Sequence, residues 1–231
     1  MKNKIVLSAI AILVILTATL LSAPHKERQK HYSASIIPKN MSVQEKKARF
    51  YALIIPAINE AYKELEAQYK ETKKLIDNDP KSPKLVALMQ SYHAKDLHDL
   101  LVRMKLHPRS IVIAQAAMES AWATSRFFRE GKNIFGVWSY KADEPRIAAG
   151  IKRGKTTIYL KKYNSLVDSV KDYYKTIAIK KIFSQFRAHR MQTQDPYVLV
   201  KYLNKYSERG DEYCKEIASM IRHNHLTQYD K

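Results

Sequence analysis

The sequence is poor in glycine, cysteine and acidic residues. Glycine occupies 5 of 231 positions and cysteine one, against an average glycine share of about 7%. So little glycine argues against an all-β sandwich or barrel, whose many turns need it. The lone thiol of Cys214 cannot form an internal disulfide or anchor a zinc cluster of thiolates. The length suits one domain with an appendage.

The scarcity of acidic residues makes the chain strongly basic. Asp and Glu number 22 against 41 Lys and Arg, a net charge of +19, and residues 141–190 alone carry 13 basic and 4 acidic residues. This balance favours polyanionic partners such as nucleic acid, anionic lipid or an acidic cell-wall polymer. We expect no nucleic-acid partner, because the sequence has no zinc-finger spacing and no recognition motif. The histidine spacings are unlike those of metal ligands, so we expect no metal.

Long apolar runs are confined to the N-terminus. The stretch from Ile5 to Ala23 is uncharged, and its nineteen residues at about 1.5 Å each reach the thickness of a bilayer core. A signal-peptide core is usually shorter, and Pro24 makes a poor cleavage context. Residues 1–23 are therefore a signal peptide or a single-span anchor in the inner membrane, and the pattern favours the anchor. Either one predicts an exported protein of the periplasm or cell envelope.

The rest of the chain divides into a linker and two helical regions. Residues 24–42 have the composition of a linker, and a capping-box pattern at Ser42 opens a helical pair that we place at 43–105. The second region, 106–231, begins with a helix from about 108 to 125 that is apolar on every side and therefore buried. A β-hairpin is predicted to turn at Arg153. We expect a mainly α fold with a small β-hairpin insert.

Glu119 is the carboxylate within that buried helix, where its neighbours are mainly small and aromatic. Burying an unpaired carboxylate is costly, and the usual consequence is a raised pKa that keeps the group protonated. A carboxylic acid that is protonated near neutral pH is what general acid catalysis requires. The alternative is a structural glutamate that is ion-paired with Arg126 or Arg129.

Three segments around and beyond Glu119 form a recognisable pattern. Glu119-Ser120 is followed by Asn133-Ile134-Phe135-Gly136 and, near the C-terminus, by Tyr206-Ser207-Glu208-Arg209-Gly210. In this combination the chain resembles the glucosaminidase domain of peptidoglycan hydrolases, the family-73 glycoside hydrolases, and within that group the Bax-type proteins. The resemblance covers about 44–228, and its specific motif lies at 112–138.

The resemblance implies a lysozyme-like helical domain that cleaves peptidoglycan glycan strands after N-acetylglucosamine. It makes Glu119 the general acid, without a cofactor, and it places Tyr206 by the cleft to bind the N-acetyl group or to help place water. The substrate-binding residues that we expect are Trp122, Asn133, Phe135 and Trp138. We expect the protein to be a monomer.

Two departures from the family pattern bear on catalysis. Ala121 and Ala123 stand where the family often has glycine, so their methyl groups either narrow the cleft or stabilise the helix by about 1 kcal/mol each. The family often places a second carboxylate in its β insert, yet residues 145–167 contain no Asp or Glu. Glu144 or Asp143 is then the candidate to orient water, or the substrate's own N-acetyl group acts instead. A further alternative is an inactive peptidoglycan-binding or scaffold protein.

Overall fold

The computed structural model describes residues 31–153 and 156–231. These residues are mainly helical and contain one small antiparallel sheet, which confirms the predicted fold class. The helices are α1 (Val43–Asn78), α2 (Pro83–Tyr92), α3 (Leu97–Met104), α4 (Arg109–Glu119), α5 (Arg126–Gly131), α6 (Leu166–Ile179), α7 (Ser184–Gln192), α8 (Pro196–Leu199) and α9 (Asp211–His223). The strands are β1 (Trp138–Ser139), β2 (Arg146–Arg153) and β3 (Thr156–Lys161). Short 3₁₀ helices lie at Lys181–Phe183, Val200–Leu203 and Leu226–Tyr229.

The helix α1 begins at the predicted capping box. The Ser42 hydroxyl accepts from the Glu45 amide at 3.2 Å, and the Glu45 carboxylate accepts from the Ser42 amide at 3.0 Å. The second helix predicted within 43–105 is instead two helices. His93 adopts a left-handed conformation (φ 52°) that ends α2, and the Asp96 side chain caps α3.

The core surrounds α4, whose residues 110–117 are all buried. Phe50 and Ile54 from α1 pack into the same cluster as Tyr173 from α6 and Ile217 from α9. Each large apolar side chain that is removed from water in this way stabilises the fold by about 1.5–3 kcal/mol. Residues 32–231 form one compact unit. The limits predicted for the linker and the two helical regions stay predictions.

The small sheet contains the predicted hairpin. Strands β2 and β3 pair antiparallel with Ile147 opposite Leu160 and Arg153 opposite Thr156, and residues 154–155 of the turn lie outside the described residues. The short β1 pairs with the other edge of β3, giving the order β1-β3-β2. The sequence did not predict this third strand, because two residues carry no periodicity of their own.

The N-terminal span predicted at 5–23 lies outside the described residues. Within 31–153 and 156–231, no helix combines the length and the hydrophobicity that are needed to cross a membrane. The anchor, and the export that it implies, therefore stay predictions.

Candidate active site

Glu119 is the last residue of α4, which ends well before the predicted limit near Ser125. Ser120 ends the helix, because its hydroxyl accepts from the Ala123 amide at 2.8 Å and donates to the Ala116 carbonyl at 2.5 Å. The chain then turns through Ala121, Trp122 and Ala123, which have φ values of 51°, 60° and 62°. This left-handed turn leaves the Glu119 carboxylate partly exposed at the end of a buried helix.

The turn explains why glycine is favoured at positions 121 and 123. Positive φ brings the Cβ atom of an L-residue close to the following carbonyl oxygen, at a cost of about 1–2 kcal/mol per residue. Of the two alternatives for Ala121 and Ala123, stabilisation of the helix is therefore wrong, since both residues lie beyond its end.

Replacing the exposed Ala121 with glycine is expected to raise the free energy of unfolding by about 0.5–1 kcal/mol, because glycine adopts positive φ without the clash. Urea unfolding followed by tryptophan fluorescence measures this change. The control is Ala67→Gly at an exposed position within α1, which should lower stability by about 1 kcal/mol. A similar loss at both positions would contradict strain in the turn.

The surroundings of Glu119 favour a protonated carboxyl group. Its Oε1 atom accepts a hydrogen bond from the Tyr213 hydroxyl at 2.9 Å. Burial raises the pKa of Glu119, while the hydrogen bond from Tyr213 and the charge of Arg209 act in the opposite direction and only reduce the rise. The C-terminal end of a helix also disfavours a carboxylate. These are the conditions under which a glutamic acid can serve as a general acid.

Arg126 and Arg129, the two possible ion-pair partners of Glu119, pair with a different carboxylate. Arg126 lies 3.5 Å and Arg129 lies 2.9 Å from carboxylate oxygens of Glu130. These pairs are exposed and contribute little to stability. The Glu119 carboxyl group is therefore held by a neutral tyrosine and not by either arginine.

A cluster of aromatic rings lies beside Glu119 and includes Tyr206. The Tyr206 ring stacks on Tyr213 with centroids 5.5 Å apart and planes 6° apart, and Phe135 stacks on Tyr173 at 4.2 Å. Tyr206 is partly exposed. Burial and the charge of Glu119 raise the pKa of Tyr206 well above 10. Its neutral hydroxyl can therefore donate to a ligand.

Phe135 and Asn133 both make their contacts within the protein interior. Phe135 is 4% exposed and packs against Tyr173. Asn133 is buried, and its amide donates to the Val137 and Lys161 carbonyls at 3.0 and 2.9 Å while its oxygen accepts from the Val137 amide. Because all its polar atoms bind the backbone, we assign Asn133 to the turn before β1, in place of the substrate contact expected from the sequence. Gly136 completes that turn at φ 64°.

The two tryptophans occupy different parts of the molecule. Trp122 packs edge-on against Phe50 at 5.1 Å between ring centroids, and the Lys47 ammonium lies 5.2 Å from its ring. It also borders a groove of about 400 Å³ between α1 and α9. Trp138 is 38% exposed and lies 6.2 Å from the exposed Tyr140 ring. Exposed aromatic rings of this kind suit sugar stacking, and Tyr140 was not singled out from the sequence.

The candidates for a second carboxylate lie before β2. Glu144 is 4.0 Å from the Lys161 ammonium, and Asp143 is exposed. Lys161 also pairs with Asp172 at 3.0 Å, and Asp172 accepts from the Tyr163 hydroxyl at 2.6 Å. Asp172 is a carboxylate of this region that the sequence analysis missed, because it lies on α6 and outside the β insert.

Two residues that contact Glu119 directly or through one partner were also missed. Tyr213 lies three residues beyond the C-terminal motif that ends at Gly210, and neither it nor Gln115 was assigned a role from the sequence. Gln115 is fully buried and donates to the Tyr213 hydroxyl at 2.8 Å. Its spacing of four residues before Glu119 was the available signal, since such residues share a helix face. Within the described ranges no three potential metal ligands cluster.

Comparison with known proteins identifies related sequences. The family model described as Mannosyl-glycoprotein endo-beta-N-acetylglucosaminidase (Glucosaminidase) matches residues 94–226. The curated Protein bax of Escherichia coli (strain K12) is 30% identical over 131 residues, which are 54% of this chain and 46% of that protein. The chain thus spans about half the length of this relative.

Two solved structures are also similar to the chain. The catalytic domain of the autolysin Auto from Listeria monocytogenes is 20% identical with a TM-score of 0.45, over 70% of this chain and 87% of that one. A peptidoglycan hydrolase from Sphingomonas sp. A1 is 18% identical with a TM-score of 0.42, over 64% of this chain and 86% of that one.

Proposed function

This chain belongs to the mannosyl-glycoprotein endo-beta-N-acetylglucosaminidase family, and from that premise we propose that it is an exported hydrolase of peptidoglycan. The bond cleaved is the glycosidic bond after N-acetylglucosamine, and Glu119 is the general acid. The observation that carries this proposal is the position of Glu119 at the end of a buried helix, where burial raises its pKa.

The chemistry requires a proton at the leaving oxygen. As the bond between C1 and the glycosidic oxygen breaks, the Glu119 proton passes to that oxygen, and water later supplies a hydroxyl group to C1. The Tyr206 hydroxyl binds the N-acetyl group or helps to place this water. Trp138, with 38% of its surface exposed, provides an apolar wall for the sugar ring.

The proton of the attacking water needs an acceptor. Glu144 and Asp143 are candidates to orient and activate the water, and Glu144 lies beside Lys161 at 4.0 Å. The third candidate is the substrate's N-acetyl group, which would act as an internal nucleophile. Asp143→Asn and Glu144→Gln, made singly and together, distinguish the carboxylates from substrate assistance. Activity is lost in these variants only if one of the two carboxylates activates the water.

The charge of the chain supports an acidic substrate. Residues 141–190 carry 13 Lys and Arg against 4 Asp and Glu, a net charge of +9. A field of this sign attracts an anionic wall polymer and raises the rate of encounter at low ionic strength. The proposed location is the periplasm or cell envelope, with residues 5–23 anchoring the chain to the inner membrane.

Incubation of the full-length protein with purified peptidoglycan tests the proposal. New reducing ends are reduced with borohydride and the fragments are identified by mass. The expected result is fragments that end in reduced N-acetylglucosamine, with none released by boiled protein. Fragments that end in reduced N-acetylmuramic acid would overturn the assigned bond.

A second candidate function is a peptidoglycan-binding or scaffold protein without activity. The lack of any acidic residue in 145–167 favours it. Such a protein would sediment with insoluble peptidoglycan and release no fragments, so the same incubation separates the two functions.

A further inference from the structure

A chain of buried polar side chains leads from the interior of the molecule to Glu119. The His107 Nε2 atom lies 2.9 Å from the Tyr173 hydroxyl, which lies 2.5 Å from Gln115 Oε1. Gln115 Nε2 lies 2.8 Å from the Tyr213 hydroxyl, which lies 2.9 Å from Glu119 Oε1. Four buried polar side chains in an apolar core are costly unless all of them are hydrogen-bonded.

The donors and acceptors of this chain point in one direction. Gln115 Oε1 can only accept, so the single proton of the Tyr173 hydroxyl goes to it, and His107 Nε2 must then donate to Tyr173. The Gln115 amide nitrogen donates to the Tyr213 oxygen. The Tyr213 proton is therefore left for Glu119, and every hydrogen bond of the chain points toward the carboxyl group.

His107, at the far end of this series of hydrogen bonds, is held in its neutral form. His107 is fully buried. Burial and, to a smaller extent, the positive charge of Arg190 lower its pKa well below 6.5. Among the described residues its Nδ1 atom has no partner, as expected for a histidine that carries its one proton on Nε2. A neutral histidine in this tautomer can only donate to Tyr173, which fixes the direction of the chain.

We propose that Tyr213 and Gln115 are positioning residues for Glu119. The chain directs the Tyr213 proton onto Oε1, so the acidic proton of Glu119 resides on Oε2, which is the oxygen that delivers it to the glycosidic bond. This inference rests on the proposed function for the proton transfer, but the hydrogen-bond chain itself does not depend on activity.

Other groups near Glu119 set the direction of the expected pH effect. The charge of Arg209 and the hydrogen bond from Tyr213 lower the pKa of Glu119, but they only partly offset the rise caused by burial. Tyr206 and Tyr173 are both close enough to Glu119 for its negative charge to raise their own pKa values. Removing the Tyr213 hydroxyl takes away a donor that favours the ionised carboxylate, so the pKa of Glu119 rises further.

The test is the pH dependence of kcat/KM of the full-length protein on purified peptidoglycan. We expect Tyr213→Phe to lower kcat about 10- to 100-fold through loss of orientation, and to move the high-pH limb to higher pH. Gln115→Met should shift the limb in the same direction by less, because Tyr213 then loses the donor that orders it. The matched control is Tyr174→Phe, which removes an adjacent buried hydroxyl that donates to the His107 carbonyl and should leave the limb in place.

A second measurement separates this inference from the proposed function. Titration of ¹³C-labelled glutamate side chains by NMR, with Glu119→Gln for assignment, reports the ionisation of Glu119 even in a protein that hydrolyses nothing. A higher titration midpoint in Tyr213→Phe supports the inference, and a folded variant with an unmoved midpoint overturns it. If Tyr213→Phe does not fold, the titration midpoint of Glu119 is compared between Gln115→Met and the unmodified protein instead.

Discussion

Replacing Glu119 with glutamine is expected to reduce the release of reducing ends from peptidoglycan by about 10³-fold, which is a typical contribution of a general acid. Glutamine keeps the size of the side chain and can still accept from the Tyr213 hydroxyl, which lies 2.9 Å from Oε1 in the structure. The substitution therefore removes the transferable proton and little else. The rate of fragment release and sedimentation with insoluble peptidoglycan are measured on the same preparation.

The matched control is Glu130→Gln, which neutralises an exposed carboxylate that pairs with Arg126 and Arg129. Its rate should stay within about twofold of the unmodified protein, since exposed ion pairs contribute little. Full activity of Glu119→Gln would rule out Glu119 as the acid. Binding without fragments from any variant, the unmodified protein included, would favour the inactive peptidoglycan-binding protein.

Replacing Arg49 with methionine is expected to lower the free energy of unfolding by about 3 kcal/mol. Arg49 is 1% exposed, and its guanidinium donates to the Ala123 carbonyl at 2.7 Å and to the Ser33 carbonyl at 2.7 Å. It also donates to the Ala34 and Ile36 carbonyls at 3.3 and 3.2 Å. Methionine has a similar length but leaves these acceptors without a donor. The bond to Ala123 holds the turn that follows Glu119, so its loss should lower the hydrolytic activity as well.

Urea unfolding followed by tryptophan fluorescence measures this change, because Trp122 lies in the same turn and packs on Phe50. The control is Arg129→Met at an exposed position, for which a change below about 0.5 kcal/mol is expected. Equal stability of the two variants would show that the Arg49 guanidinium does not hold the turn.

Local signals in the sequence predicted much of the helical structure. The capping box predicted at Ser42 forms, since it needs only residues within one helical turn. The end of α4 and the break between α2 and α3 were predicted wrongly. Both depend on non-glycine residues with positive φ, Ala121 and His93, and such conformations have no reliable sequence signal.

The sequence by itself determined the family, the helical class and the residue that is the candidate acid, because all three depend on short motifs and local periodicity. Only the tertiary structure decided what surrounds Glu119. Its partner Tyr213 lies 94 residues further along the chain, and Arg49 lies 74 residues before the carbonyl that it binds. Contacts over such separations depend on how α1, α4 and α9 pack together, and local pattern does not specify that packing. The burial that raises the pKa of Glu119 arises from the same packing.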